Sequence, residues 1–485
     1  MSLLDAQTWT GKILLDGWTA GGGGTAPSYE PATGAVLGET GVATPDDVRR
    51  AATRAAEAQA EWAARRPTER AAVLRRAGLL FEEHAAEIQD WIVRESGAIP
   101  PKAQLETHVA AQECFEASAL STHPRGEVLS TDEDRWSMAR RRPVGVVSVI
   151  APFNFPLILS IRAVAPALAL GNAVLLKPDP RTSVCGGVVL ARVFEEAGLP
   201  AGLLSLLPGG ADVGAAVVEA PEVSVIAFTG STEAGRKVGE AAASHLKRAH
   251  LELGGNNALV VLPGADVAQA ASAGAFGSFM HQGQICMTSG RHLVHESIAE
   301  EYVAALAAKA EHLPVGDPAS GQVALGPIID EKQLKRIDGI VQDAVGRGAR
   351  LVAGGTNDAL FYAPTVLADV AGDNPAWTEE IFGPVAPVRT FATLDEAVAL
   401  VNENAYGLSV GILGDVGLAM QLADRVSSGK VHINEQTVSD EATAPFGGTK
   451  SSGNGSRVGG ATANLESFTE VQWLTVRSEI APYPF

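Results

Sequence analysis

Two stretches, VGVVSVIAP (144–152) and VSVIAFTG (223–230), decide the fold of this chain. Each is a short, continuous apolar run followed by a helical pattern, and two similar runs lie between them, AVLLKP (173–178) and LLSLLPG (203–209). Continuous apolar strands that alternate with helices are typical of a parallel sheet covered on both faces. The sequence therefore predicts an α/β fold in this part of the chain.

Sheets of this kind bind ligands at the carboxyl ends of their strands. Four residues with a polar side chain or a bare backbone follow the four predicted strands: Asn154, Lys177, Gly209 and Gly230. We therefore expect the functional site at this edge of the sheet.

The segment GSTEAGRK (230–237) combines a glycine turn with a helix that is expected to begin at Ser231 or Thr232. No Lys-Ser or Lys-Thr pair closes it, so a Walker A nucleotide site is not predicted. Free N–H groups at a helix start suit a pyrophosphate, although an ordinary capped helix explains the same residues. The run GGGGTA (21–26) has no helical pattern after it, and we interpret it as a turn.

Outside the central region the pattern changes. TPDDVRRAATRAAEAQAEWAA (44–64) opens with Thr44 as the expected N-cap and begins a helical region that continues to Gly97. After Gly255 a second α/β region is predicted. The segments STHPRGEVLSTDEDRWSMARRRP (121–143) and LESFTEVQWLTVRSEI (465–480) are expected to be extended.

The composition restricts the class of protein. A chain of 485 residues is too long for one core, so two or more domains are expected. The formal charge of −19 argues against nucleic acid or an anionic membrane as a main partner. We recognise no signal peptide, membrane span or Cys/His metal cluster. Three cysteines do not form a disulfide framework, and a reducing cytoplasm is expected.

One of the three cysteines has an unusual setting. Cys114 and Cys185 lie in helical, apolar patterns, where a free cysteine usually packs in the core. Cys286 lies in FMHQGQICMTSGRH (279–292), among Gln, Gly, Ser and Thr. A thiol there could act as a nucleophile if a base, a cation or a helix end activates it. The local context alone leaves a structural and a catalytic role equally open.

Three further motifs accompany Cys286: PFNFP (152–156), LELGGNN (251–257) and EEIFGPV (379–385). Each alone has a structural explanation, such as a turn asparagine or a surface carboxylate. Together with FTGSTEAG and GQICMTSGR, in this chain order, they resemble the NAD(P)-dependent aldehyde dehydrogenases, from about residue 10 to the C-terminus. The stretches HLELGGNNALVVLPGAD, HQGQICMTSGRHLVH, LKPDPRTSVCGG and SGNGSRVGG are most similar to the benzaldehyde and vanillin branch.

The resemblance implies a subunit with a Rossmann-like cofactor domain, a second α/β catalytic domain and a β oligomerisation element. The expected ranges are 1–126 and 143–253 for the cofactor domain, 254–459 for the catalytic domain, and 127–142 with 460–485 for the oligomerisation element. A homodimer or homotetramer is implied.

The resemblance also implies a mechanism. The Cys286 thiolate attacks the aldehyde carbon, and the Asn154 amide and the Cys286 N–H stabilise the oxyanion. Hydride transfer to the nicotinamide leaves a thioester, which water activated by Glu252 hydrolyses to the carboxylic acid. The residues implied at the cofactor are Lys177 for the adenosine ribose, Glu380 for the nicotinamide ribose with Phe382 nearby, Gly230 and Ser231 for the pyrophosphate, and Pro152, Phe153 and Gly254.

Three positions depart from the family pattern. Asn256 replaces a common Lys, and Phe153 replaces a common Trp, with little consequence for the chemistry. Pro180 stands where many members have Glu, three residues after Lys177. A carboxylate there would accept a hydrogen bond from the ribose 2′-OH and repel a 2′-phosphate. We therefore expect both NAD and NADP to work, with NAD favoured because the similar branch mostly uses it.

The expected substrate is a small aldehyde with an aromatic ring. The helix after Asn154 would present its residues at i, i+3, i+4 and i+7 to a tunnel that ends at Cys286. The predicted lining is Phe155, Ile158, Leu159, Arg162, Ile285 and Met287. Arg162 could meet a polar ring substituent, or it could pair with a carboxylate away from the substrate.

Three other functions remain possible at this stage. One is the oxidation of an aliphatic aldehyde or a semialdehyde. Another is a CoA-acylating enzyme, which Glu252 argues against because that reaction needs no water-activating base. The third is a non-catalytic binding protein of the same fold, which the intact set of Cys286, Glu252, Asn154 and Lys177 argues against.

Overall fold

The computed structural model describes residues 2–485, which form two seven-stranded sheets, one three-stranded sheet and three two-stranded ribbons. The helices are α1 Ala6–Trp9, α2 Pro45–Ala64, α3 Pro67–Glu83, α4 Ala85–Ser96, α5 Pro100–Leu120, α6 Pro156–Ala169, α7 Val189–Glu196, α8 Ala211–Glu219, α9 Thr232–Ser244, α10 Val267–Phe279, α11 Ala299–His312, α12 Glu331–Gly346, α13 Pro375–Thr378, α14 Leu394–Asn402, α15 Val416–Ala423 and α16 Ala461–Phe468.

The strands are β1 Lys12–Leu14, β2 Trp18–Ala20, β3 Thr25–Tyr29, β4 Val36–Gly41, β5 Gly126–Val128, β6 Trp136–Pro143, β7 Val146–Ile150, β8 Ala173–Lys177, β9 Leu204–Leu206, β10 Val223–Thr229, β11 Arg248–Glu252, β12 Ala258–Val261, β13 Arg291–His295, β14 Arg350–Ala353, β15 Asn357–Asp358, β16 Phe361–Tyr362, β17 Thr365–Ala368, β18 Val385–Phe391, β19 Tyr406–Gly407, β20 Ser409–Leu413, β21 Lys430–Ile433, β22 Thr449–Lys450 and β23 Thr469–Val476.

The first large sheet has the strand order β11-β10-β7-β8-β9-β1-β2. Its five strands from β11 to β9 are parallel, and β1 and β2 join antiparallel at one edge. Strands β7 and β8 are buried along their whole length, which explains why their sequences are continuously apolar rather than alternating. The α/β prediction and its four strand–helix units are confirmed.

The second large sheet has the order β14-β17-β18-β13-β12-β20-β21 and is parallel except for β14. Two hydrophobic clusters pack around it, one centred on Trp377 and the other on Tyr302. A third cluster, the largest, surrounds the first sheet and includes Trp9 and Trp62. The second α/β region that the sequence predicts after Gly255 is therefore present.

The helices at the amino-terminal side begin and end where the sequence predicts. The Thr44 hydroxyl accepts a hydrogen bond from the Asp47 N–H, and the Asp47 carboxylate accepts one from the Thr44 N–H, which forms a capping box at the start of α2. Gly97 ends α4 with a φ of 67°, a backbone conformation that favours glycine.

The third sheet, β23-β6-β5, joins two distant parts of the chain in antiparallel pairs. Except for Gly126 and Pro143, it lies within the ranges predicted for oligomerisation, but those domain roles remain predictions. One expectation is wrong: residues 465–468 of the tail are the end of helix α16, and only Thr469–Val476 is a strand. The side chain of Phe468 is fully buried, so tertiary packing favours the helix here.

No helix within residues 2–485 is long and apolar enough to cross a membrane.

Candidate active site

The ends of four parallel strands bring the predicted site residues to one edge of the first sheet. Ile150 of β7 pairs with Lys177 of β8, and Thr229 of β10 pairs with Glu252 of β11. The strands therefore end at the same level. Asn154 lies four residues beyond β7, so the chain direction alone places it beside the other three strand ends.

A cleft of about 600 Å³ lies at this edge and is also lined by residues of helix α12 and of loops in the second α/β region. Its lining includes eleven of the residues that the sequence predicts: Pro152, Phe153, Asn154, Leu159, Lys177, Gly230, Ser231, Gly254, Cys286, Glu380 and Phe382. Apart from Leu159, Asn154 and Cys286, these are the residues predicted to contact the cofactor. Their individual roles remain predictions.

The floor of the cleft has features that suit a dinucleotide. Helix α9 begins at Thr232 with the Ser231 hydroxyl as its cap, and its first residues line the cleft, so its N-terminal end is available to an anion there. A Cβ atom on Gly254 would lie 2.1 Å from the Glu380 carboxylate, and only glycine leaves that approach open. Burial raises the pKa of Glu380 to about 7, although the Gly255 N–H stabilises the charged form.

An apolar side groove of about 440 Å³ continues from the cleft between α8 and α9. It shares Ile150, Lys177 and Phe228 with the cleft, and Pro180 lies in its wall. Burial lowers the pKa of Lys177, whose ammonium donates to the Pro178 carbonyl oxygen at 3.2 Å. A ligand that extends from the cleft into this groove would therefore pass Lys177.

The neighbouring Arg181 is not free to bind a phosphate. Its guanidinium donates to Asp179 at 2.8 and 2.9 Å and to Asp330 at 2.7 Å, and it stacks over the Phe153 ring at 4.2 Å. Asp179, in turn, has both carboxylate oxygens engaged by Arg181.

Cys286 lies in a loop that is fixed by hydrogen bonds to its main-chain carbonyl oxygens. The Asn257 amide donates to the carbonyl oxygens of Cys286 and Thr288, both at 2.8 Å. A Cβ atom on Gly255 would lie 2.4 Å from the Cys286 carbonyl oxygen, so the bare backbone of the LELGG segment permits this packing. The Cys286 N–H donates to no protein group within residues 2–485, which leaves it available to a ligand.

The Asn154 amide lies beside this loop. Its Nδ2 donates to the Gln284 carbonyl oxygen at 2.9 Å, and the side chain is buried. Asn154 and Cys286 both line the cleft and an adjoining apolar cavity, so they stand at the junction of the two. The structure thus brings together a thiol, a side-chain amide and a free main-chain N–H.

Burial and nearby charges together set the pKa of the Cys286 thiol. Burial raises the pKa of the thiol to about 12, and the Lys430 ammonium counteracts part of this rise. Glu380, Asp440 and Glu252 raise it further. Burial also lowers the pKa of Lys430, which donates to the Ser439 carbonyl oxygen at 3.0 Å and lies 4.2 Å from the Phe446 ring centroid.

Glu252 ends β11 next to the cleft but faces a smaller cavity, which it shares with Thr229 and Arg162. Neither of its carboxylate oxygens has a hydrogen-bond partner within the part of the chain that the structure describes. Burial raises its pKa well above the usual value, and the cations Arg457, Arg162 and Lys430 counteract this only in part. A buried carboxylate with such a pKa and no partner is poised to exchange a proton.

The apolar cavity has a volume of about 220 Å³ and ends at Cys286. Five of the six predicted substrate residues line it: Phe155, Ile158, Leu159, Ile285 and Met287. The rest of its wall is supplied by residues that the sequence reasoning missed: Leu105, Val109, Phe276, Met280, Val438, Ser439, Asp440 and Phe446.

The sixth predicted substrate residue, Arg162, does not line the apolar cavity. Its Nε donates to Glu113 at 3.1 Å and a terminal nitrogen donates to Asp440 at 2.6 Å, while only 3 % of the side chain is exposed. Two carboxylates on different elements hold the guanidinium in the protein interior. The position of Arg162 agrees with the alternative interpretation, in which it pairs with carboxylates. The expectation that it meets a substituent of the substrate ring is therefore corrected.

Most of the missed residues come from segments without a recognisable motif. Leu105 and Val109 project from α5, and their helical spacing indicates only a packed face. One of the segments did carry a sequence signal for a functional loop: in EQTVSDEATAPFGG (435–448) an irregular polar stretch meets a Pro-Phe-Gly-Gly turn.

Within residues 2–485, no group of three or more His, Cys, Asp or Glu side chains could hold a metal ion.

Comparison with known proteins places the whole chain in one family. The model of the aldehyde dehydrogenase family matches residues 18–474. The chain is 63 % identical to a vanillin dehydrogenase of Amycolatopsis sp., with 100 % of each chain covered, and 47 % identical to a benzaldehyde dehydrogenase [NAD(+)] of Pseudomonas putida, with 98 % of each covered. Its fold matches the crystal structure of a salicylaldehyde dehydrogenase from Pseudomonas putida G7 complexed with salicylaldehyde, with a TM-score of 0.94, 36 % identity and coverage of 98 % and 99 %. The chain therefore belongs to the aldehyde dehydrogenase family and is an NAD(P)-dependent enzyme.

Proposed function

We propose that this enzyme oxidises an aromatic aldehyde of the benzaldehyde or vanillin type to its carboxylic acid. The observation that carries this proposal is the apolar cavity of about 220 Å³ that ends at Cys286. A cavity walled by Phe155, Ile158 and Phe446 accommodates a flat ring and excludes water from the reacting carbon. The relatives named above support the same substrate class, because all three act on a ring-bearing aldehyde by name.

In the acylation half of the reaction, the Cys286 thiolate attacks the aldehyde carbon and forms a thiohemiacetal oxyanion. The Asn154 amide and the Cys286 N–H would donate hydrogen bonds to that oxygen, and both residues line the apolar cavity. NAD(P)+, when bound in the cleft, would supply the hydride acceptor. Loss of the hydride from the former aldehyde carbon leaves a thioester on Cys286. Lys430 is the cation that favours the thiolate in the protein without ligands.

In the deacylation half, Glu252 takes a proton from the water that attacks the thioester. Burial without a hydrogen-bond partner raises the pKa of Glu252, which makes its carboxylate a stronger base. Glu252 faces the small cavity, and the adjacent Leu253 lines the cleft. The role as base would therefore require the Glu252 side chain to turn toward the cleft.

The cofactor would lie along the cleft, with its pyrophosphate at the start of α9 and its nicotinamide ribose at Glu380. Its adenosine would extend past Lys177 into the apolar side groove. No carboxylate stands at Pro180, and Asp179 is neutralised by Arg181, so we propose that NAD and NADP both work. NAD remains the favoured cofactor, as in the P. putida relative named for it.

Two broader properties belong to the proposal. The enzyme forms a dimer or tetramer through the sheet β23-β6-β5, and it works in a reducing cytoplasm, where its three free cysteines stay reduced.

The proposed function is tested by the rate of cofactor reduction, followed by absorbance, with benzaldehyde, vanillin and hexanal as substrates. We expect kcat/KM for the two aromatic aldehydes to exceed that for hexanal. A clear preference for hexanal would refute the aromatic assignment and favour an aliphatic aldehyde. Acid formation without added CoA excludes the acylating alternative.

A further inference from the structure

Helix α5 carries a fully buried ion pair that the proposed chemistry does not use. Lys102 and Glu106 are one helical turn apart, their side chains are in contact, and both are 0 % exposed. Burial of two charges is unfavourable unless hydrogen bonds satisfy their remaining donors and acceptors. The other contacts of this pair therefore indicate what the pair does.

Within the described residues, the hydrogen bonds that this pair makes beyond itself go to the segment from Asn154 to Ile158. The Lys102 ammonium donates to the Asn154 carbonyl oxygen at 2.8 Å and lies 4.4 Å from the centroid of the Phe155 ring. The Glu106 carboxylate accepts hydrogen bonds from the N–H groups of Leu157 and Ile158, at 3.1 and 3.3 Å. The pair thus binds the residues on both sides of the turn from β7 into α6.

Glu106 supplies what the sequence of α6 lacks. The residue before this helix is Phe155, which has no side-chain group to cap the first turn. A carboxylate from another helix takes over the cap and places a negative charge at the positive end of α6. The start of α6 is therefore fixed by α5 and not by its own sequence.

The side chain of Asn154 projects from this doubly held turn. On its other side, Nδ2 donates to the Gln284 carbonyl oxygen in the cysteine loop at 2.9 Å. The amide is thus held between α5 and the nucleophile loop. Oxyanion stabilisation depends on donors that are already aligned before charge develops.

We propose that the Lys102–Glu106 pair is a positioning device, which aligns the Asn154 amide with the oxyanion that forms at Cys286. The proposal rests on the proposed function of Asn154 as an oxyanion donor. Neither Lys102 nor Glu106 lines the cleft or the apolar cavity, so both would act through the backbone of the Asn154 turn. A misplacement of about 1 Å at a reacting group can lower a rate by on the order of 10²-fold.

Helix α6 also offers a control, which tests whether the loss of any buried cation bonded to this helix lowers the rate. Arg70 is a buried cation that donates to the Ala169 carbonyl oxygen at 3.1 Å, at the opposite end of α6. Arg70→Met removes a buried cation from a main-chain carbonyl of the same helix, far along the chain from Asn154. It should lower the thermal midpoint and leave the rate of hydride transfer in the folded protein within about twofold of the original.

The test is a double-mutant cycle between the pair and Asn154. The variant Lys102→Met/Glu106→Gln removes both charges together, because removal of one alone leaves an unpaired buried charge. If it does not fold, Lys102→Gln/Glu106→Gln replaces it. The two introduced amides can pair with each other, but the side chain at position 102 is then too short to reach the Asn154 carbonyl oxygen. Each variant is made with and without Asn154→Ala, and single-turnover reduction of NAD+ by benzaldehyde is measured.

We expect the pair variant alone to lower the rate by about 10- to 100-fold with little change in KM. In the Asn154→Ala background the pair variant should change the rate by less than about twofold, because the amide that the pair aligns is absent. The rate of Cys286 alkylation by iodoacetamide should stay unchanged, which shows that the nucleophile loop is intact.

Two results have different meanings. If Asn154→Ala lowers the rate and the pair variant lowers it by the same factor in both backgrounds, the positioning role is overturned. If Asn154→Ala has no effect on hydride transfer, the proposed function of Asn154 fails first, and the pair has no amide to position.

Discussion

The Cys286 thiol is buried deeply enough to raise its pKa to about 12, so only a small fraction is ionised at neutral pH in the free enzyme. Its reactivity depends on the groups that oppose or reinforce this effect. Among the charges around it, Lys430 lowers the pKa, while Glu380, Asp440 and Glu252 raise it. The nucleophile is therefore sensitive to single charges in its surroundings.

The first prediction concerns the division of labour between two residues. Cys286→Ala should abolish hydride transfer, whereas Glu252→Gln should slow deacylation by about 10²–10⁴ and leave an initial burst of reduced cofactor. Stopped-flow absorbance separates the two phases. Cys114→Ala is the matched control, because this thiol is fully buried in α5, and its loss should leave turnover unchanged. Near-normal turnover in Cys286→Ala would contradict the assignment of the nucleophile.

The second prediction concerns pH. The reactive form of Cys286 is the thiolate, and the reactive form of Glu252 is the carboxylate. Both pKa values are raised, so each reactive fraction grows as the pH rises. We expect kcat/KM to increase from pH 7 into the alkaline range. Lys430→Met should shift this profile to higher pH, because the opposing positive charge is lost. An unchanged profile in Lys430→Met would show that Lys430 does not control the thiol.

At the scale of elements, α6 connects the oxyanion donor with the substrate cavity. Asn154 precedes the helix, and Phe155, Ile158 and Leu159 face the cavity from its first turn. Any displacement of this helix would therefore change the alignment of the amide and the shape of the cavity together.

The third prediction follows from the size of that cavity. Ile158→Trp should fill much of its 220 Å³ and lower kcat/KM for benzaldehyde by about tenfold, because the indole takes space that the ring needs and a change in pocket fit is worth about 1–3 kcal/mol. Acetaldehyde, which needs only the space next to Cys286, serves as the internal control and should be affected less. Equal losses for both aldehydes would mean that the ring does not occupy this cavity.

The fourth prediction concerns the turn after β8. Because Pro180 cannot bond a ribose hydroxyl or repel a phosphate, kcat/KM with NAD and with NADP should agree within about two decades, the value of one charge-assisted contact. Steady-state kinetics with each cofactor at one aldehyde concentration gives the ratio. Pro180→Glu should increase the ratio of kcat/KM with NAD to kcat/KM with NADP. A preference for NAD above about three decades in the unmodified enzyme would mean that another carboxylate guards the ribose.

At the scale of the whole molecule, the three-stranded sheet presents an apolar surface. Trp136 is 78 % exposed, Trp473 64 % and Val471 61 %, and β23 is an edge strand. Apolar side chains on an unpaired edge indicate a surface that another chain covers.

The fifth prediction is that the wild-type protein is a dimer or tetramer and that Val471→Lys/Trp473→Lys shifts it toward monomers, because two charges in an apolar interface are not compensated. Light scattering coupled to size-exclusion chromatography measures the mass. Lys237→Glu, an exposed change on α9 away from this sheet, is the control and should not alter it. A monomeric wild type would contradict the oligomerisation role of β23-β6-β5.

Much of the fold follows from the sequence because its signals are local. The buried parallel strands are continuous apolar runs, the start of α2 carries its own cap, and the residues after β7, β8 and β10 lie at strand ends that share one edge. The chain order of the motifs around Asn154, Glu252 and Cys286 was enough to predict the family and to place Asn154 and Cys286 at one site.

Only the tertiary structure decided which side chains meet across long separations in sequence. Arg162 turns from the substrate cavity because Glu113 and Asp440, each far away in the chain, hold its guanidinium. Residues 465–468 form a helix because Phe468 is buried in the hydrophobic cluster around the first sheet. The start of α6 is capped by Glu106 of another helix. None of these contacts has a local pattern, since hydrophobic period and capping motifs report only a residue's near neighbours.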